Sequence, residues 1–208
     1  ISSAASDVYK RQALSIILFL SFSVTVDFMK RSLTPLRPWT ADLSIISTDN
    51  SLSVDSEILE RLKENPAVKA AYGRMFSYDL LMEGGGELKK ADLLTYEKNQ
   101  FGWAKEYLLE GSLDTVANQP GTALVVYEPE TTIQVGDTVT LDIGGKPQQL
   151  RICGMLSTAP FGNANDTALI ICSEDTFRQL IGAADYTIID IQLTNKATDE
   201  DVNNIQQM

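Results

Sequence analysis

The chain contains no histidine. Ser-His-Asp and Cys-His catalysis and histidine-based zinc sites therefore have no residues to work with. Sulfur chemistry is confined to Cys153 and Cys172, each inside an apolar run, LRICGML and TALIICS. Two isolated thiols make neither a four-ligand thiolate site nor a disulfide framework. The plain reading is two small buried side chains, and whether they pair is set by strand geometry that the sequence does not contain. Oxygen ligands cluster at Asp49, Asn50 and Asp55, and again at Asn163, Asn165 and Asp166. Neither cluster has the glycine and terminal glutamate of an EF-hand loop, so capping and turn formation are expected in place of calcium. Asp199, Glu200 and Asp201 fall in the first turn of a helix, where they favour its dipole. Gly84-Gly85-Gly86 is followed by no Lys-Ser/Thr and opens no helix, which makes it a hairpin turn and not a phosphate loop. The expectation is no catalytic residue, no metal ligand and no cofactor site: the chain is not an enzyme.

The elements that would position such residues read as α+β. With 17 basic and 28 acidic residues the net charge is −11, and no basic stripe offsets it, which argues against nucleic acid as a partner. Ala41–Thr48 reads as a strand and Ser53–Asn65 as a helix capped by Ser53 or Asp55 and stopped at Asn65-Pro66. Val68–Phe76 follows as a strand, then a hairpin over Ser77–Thr95. The strand–helix–strand unit recurs at Thr167–Leu193, with Ser173 as cap and Gly182 as stop. Thr198 and Asp201 form a capping box for a last helix. Two such units predict a split βαβ, ferredoxin-like lobe over 39–95 and 167–208. Between them, 96–166 reads as an inserted β-rich lobe: a helix over Tyr96–Glu110, then strands Thr122–Val126, Thr138–Ile143 and Gln149–Leu156. Phe161 stands in its turn-rich loop, either to meet a neighbouring protomer or ligand or to fold back on the core.

The N-terminal segment has a different character. Ser2–Gln12, SSAASDVYKRQ, resembles along its whole length the in-frame translation of a sequencing-library transposase adapter. Residues 1–12 are therefore set aside as non-native. Ala13–Val26, ALSIILFLSFSVTV, is free of charge and reads as the remainder of a membrane helix, which needs about 20 apolar residues. No A-x-A cleavage pattern follows it, as a signal peptide would require. Asp27, Lys30 and Arg31 mark its exit, and Pro35 and Pro38 end the stalk, so 13–38 is expected to be truncated span plus stalk.

The order of these pieces resembles the MacB/FtsX-type family of ABC-transporter permeases. The matching phrases are the apolar run ending in FMKRSL, the strand ADLSI, ILERLKENPAVKAAYGR, VGDTVTLDIGG, RICGMLS, and SEDTFRQLIG before YTIIDIQL. The resemblance implies a first membrane helix leading into an extracytoplasmic domain. Its split lobe would be the porter subdomain and its β-rich insert the Sabre subdomain. It further implies an ATP-binding subunit or domain as partner, a permease dimer, and a place in the cell membrane with residues after about 39 outside the cytoplasm. Cytoplasmic ATP hydrolysis would then drive export or other external work through this domain. A membrane-anchored domain that binds or senses a peptide or envelope component is the alternative, and an anchored carboxylate hydrolase a third reading. Substrate and direction of transport are not written in these residues.

Overall fold

Each helix in the described part of the chain starts where a side chain can take the place of the missing turn. The computed structural model describes residues 40–46, 53–130, 132–160, 167–182 and 185–207, together with Ile16. In order these form β1 (Leu43–Ile46), α1 (Ser56–Glu64), β2 (Val68–Arg74), β3 (Phe76–Gly84), β4 (Glu87–Tyr96) and α2 (Lys98–Trp103). A 3-10 turn (Ala104–Tyr107), β5 (Leu108–Gly111), α3 (Leu113–Asn118), β6 (Thr122–Val126) and β7 (Thr138–Ile143) come next. The chain ends with β8 (Lys146–Leu156), β9 (Ala168–Ser173), α4 (Glu174–Ile181), β10 (Ile188–Leu193) and α5 (Asp199–Gln206). The Asp55 carboxylate accepts from the Glu57 amide at the head of α1, and Asn65 is already extended ahead of Pro66. Ser173 caps α4, which stops at Gly182, and Thr198 with Asp201 closes a capping box on α5.

Two sheets result. In the smaller, β10 lies between β1 and β2 and runs antiparallel to both. β1 and β2 are thus parallel, joined by α1 and split by β10, and α1 buries Leu59 and Leu62. In the larger, the order β8-β6-β9-β4-β3-β7 returns to β8 through the β7–β8 pair, closing a six-stranded barrel, and β5 lies along the far end of β8. Strand alternation divides its side chains. Met82, Leu93, Val125, Leu141, Leu150 and Ile170 share one core, which continues into Leu59 of α1 and Ile189 and Ile191 of the small sheet. Leu94, Leu124, Leu156, Leu169 and Ile171 face the other way and are covered by Phe101, Ala104, Leu113 and Val116 from α2, the 3-10 turn and α3. Each fully buried aliphatic side chain of this kind contributes about 1.5–3 kcal/mol. Residues Trp39–Met208 form one compact unit.

The sheets do not divide where the expected lobes do. The strand–helix–strand pattern puts Thr167–Cys172 in the sheet of Ala41–Thr48, yet β9 lies in the barrel, parallel to β4 and antiparallel to β6. The β3–β4 hairpin, expected in the 39–95 lobe, belongs to the barrel as well. The cause is burial on both faces: β9 reads ALIICS, and four of its six residues from Leu169 to Cys172 are at most 2% exposed. A strand apolar on both sides finds cover in a barrel wall backed by helices.

The expected helix over Tyr96–Glu110 is a second correction. It ends at Trp103, tightens into the 3-10 turn, and becomes β5. Gly111 lets β5 close on β8: its φ is +89°, and a Cβ there would stand 2.2 Å from the Cys153 carbonyl oxygen. Helix α3 is an addition to the expected elements: Ser112 accepts from the Thr115 amide, and Leu113 and Val116 are buried at helical spacing. The adapter-like Ser2–Gln12, the apolar Ala13–Val26 apart from Ile16, the stalk to Pro38, Asp49, Asn50, Phe161, Asn163, Asn165 and Asp166 lie outside the described residues. No described helix is long and apolar enough to cross a membrane.

Candidate functional site

The chain passes from the small sheet to the barrel through a single residue, Met75, between β2 and β3. Met75 is fully buried. Its amide donates to Thr95 Oγ1 at 2.9 Å and its carbonyl accepts from the Thr95 amide at 3.0 Å, so both of its polar groups are fastened to β4. On either side, the Phe76 amide donates to Thr187 Oγ1 at 3.0 Å, the Thr187 amide to the Arg74 carbonyl at 2.8 Å, and the Gly73 amide to Glu97 Oε1 at 2.6 Å. Every one of these bonds crosses between elements, which leaves little freedom at the joint.

An ion pair lies at its centre. Arg74 Nη2 meets Asp190 Oδ2 at 2.6 Å, with both side chains 8% exposed. Asp190 Oδ1 accepts from Ser44 Oγ at 2.7 Å, so the carboxylate of the central strand holds both outer strands of the small sheet. The Arg74 guanidinium also stands 5.5 Å from the centroid of Phe76, the first residue of β3. Tyr186 forms the other crossing. It bridges to Val54 through backbone bonds in both directions, and its ring lies across Gly73, where a Cβ would stand 2.3 Å from ring carbons. Only glycine permits that approach. Burial, followed by the hydrogen bond and charge of Glu174, pushes the Tyr186 phenol up. Burial also raises the Glu97 carboxyl; the Gly73 amide and Lys63 oppose this, while Glu174 and Glu60 add to it.

The residues singled out in the sequence are spread over the fold. Gly85 and Gly86, at φ +60° and +81°, turn the β3–β4 hairpin. Asp55 caps α1, and Asp199, Glu200 and Asp201 occupy the first turn of α5. Cys153 and Cys172 are both free. They sit on β8 and β9, which β6 separates, so they do not pair, and burial pushes the Cys172 thiol well up. Among the described residues, no three Asp, Glu or Cys side chains come together as a metal site. The joint residues Arg74, Asp190 and Glu97 were not foreseen. The trace of Arg74 and Asp190 is a charge inside an apolar strand, as in AAYGR and IIDIQL, whereas Glu97 follows the end of β4. The arrangement holds two sheets together.

That architecture has precedents among solved structures. The periplasmic region of MacB from Actinobacillus actinomycetemcomitans superposes with a TM-score of 0.53 at 12% identity, covering 73% of this chain and 70% of that one. The fold is of the MacB periplasmic type. The extracellular domain of the ABC-type transporter YknZ from Gram-positive bacteria gives 0.54 at 13% identity, covering 78% of this chain and 86% of that one. No family model matches the sequence, and no curated protein matches it.

Proposed function

We propose that this chain is the extracytoplasmic region of an ABC-transporter permease subunit, itself non-catalytic, which passes movement from the membrane to an external lobe. The observation that carries this reading is the fold shared with two transporter domains that lie outside the membrane. In it, the small split sheet takes the place of the porter subdomain and the barrel that of the Sabre subdomain. The apolar Ala13–Val26 is the end of the preceding membrane helix, and an ATP-binding subunit or domain and a second permease copy are its partners. β1 is the first element of the compact unit, and its Ser44 is bonded through Asp190 to Arg74, the last residue of β2 before Met75. A displacement arriving at β1 is therefore delivered along hydrogen bonds between strands.

The stalk must be stiff for this to work, and Ser21–Leu33 contains neither glycine nor proline. Inserting several glycines after Lys30 in the full-length permease, each costing about 1 kcal/mol of helix stability, should leave ATP turnover running while the external work fails. If that work survives a glycine stalk, the domain is a tethered receptor and the sensing alternative replaces this reading.

A further inference from the structure

Alongside α2 lies a cavity of about 340 Å³ that the joint does not use. Its apolar surface comes from Phe101, Leu108 and Leu113. Lys98 and Lys105 also line it, and neither has an ion-pair partner among the described residues. Asp114 is the single carboxylate at the cavity, so its lining is net positive on an otherwise acidic protein. Two lysines left unneutralised beside an apolar hollow offer charge complementarity to an anion.

Gly102 supplies the second observation. It is the second-last residue of α2 and forms part of the cavity wall, although glycine is a poorer helix former than alanine. Among the described residues, no atom comes within 4 Å of the position its Cβ would take. The effect of the glycine is to leave helix backbone bare on the cavity, as it is where a ligand makes close approach. The volume sits at the small end of the roughly 300–1,000 Å³ typical of ligand sites, which suits one short apolar body.

We infer that this cavity binds a small amphipathic anion, with its apolar body against Phe101, Leu108 and Leu113 and its acidic head between Lys98 and Lys105. The test is calorimetric titration of the full chain in lipid nanodiscs with 4-phenylbutyrate, using empty nanodiscs as the blank and 4-phenylbutanol as the uncharged counterpart. Saturable binding of the acid is expected, about tenfold or more tighter than that of the alcohol. K98A/K105A should remove that preference. G102L should abolish binding by filling the hollow, with a melting temperature no lower than that of the parent chain because leucine is the better helix former. Equal affinity for acid and alcohol, heat no greater than from empty nanodiscs, or full binding by a normally folded G102L chain would each overturn the assignment.

Discussion

At the scale of single residues, the joint depends on charges buried between strands. Removing one partner of such a pair strands the other, at a cost of about 3–5 kcal/mol. R74A should lower stability by that amount in urea denaturation, because Asp190 is left with Ser44 alone. R74M/D190L should recover most of the loss, since no uncompensated charge then remains. Glu97 makes a prediction in pH. Because burial holds its carboxyl above the ordinary value of 4.5, the folded chain binds that proton more tightly than the unfolded chain does. The resulting stabilisation is complete below about pH 4.5 and is lost as pH rises through the folded value. Glutamine keeps an acceptor for the Gly73 amide and carries no charge. E97Q should therefore gain on the parent chain between pH 4 and pH 8 in denaturation series; parallel pH profiles would refute the assignment.

At the scale of elements, the ends of helices were the most legible part of the sequence. Asp55, Ser173 with Gly182, and Thr198 with Asp201 act where a cap must act, because capping is a contact between residues two or three apart. S173A tests how much such a cap holds. Ser173 is 9% exposed, and its hydroxyl serves both the Thr176 amide and Thr176 Oγ1, which in turn accepts from the Gly121 amide. Its loss should cost about 1–2 kcal/mol in thermal or urea unfolding. Elements whose shape depends on a distant partner were less legible. The stretch after Tyr96 has a helical pattern in Phe101, Ala104 and Leu108, but Leu108 pairs with Leu156 of β8 and draws the chain into a strand. The joint was hidden for the same reason, since Arg74 and Asp190 are 116 residues apart and nothing local to either names the other.

At the scale of the whole molecule, the two kinds of element were recognised more readily than their assembly. Strand runs such as ALVV and ALIIC announce burial on both faces without saying which sheet will take them, and β9 went to the barrel on that account. With no nucleotide loop in the sequence, the full chain in nanodiscs should give no saturable heat with ATP in calorimetry; micromolar binding would contradict the proposed division of labour between this chain and an ATP-binding partner. The pairing of β1 with β10 has a consequence for biogenesis. Ser44 and Asp190 are separated by 146 positions, so at roughly 5–20 residues per second the first strand waits about 7–30 s for the ribosome to deliver its partner. During that interval β1 and the apolar face of α1 have no sheet to join. A nascent chain at that stage would be a natural client for a holding chaperone.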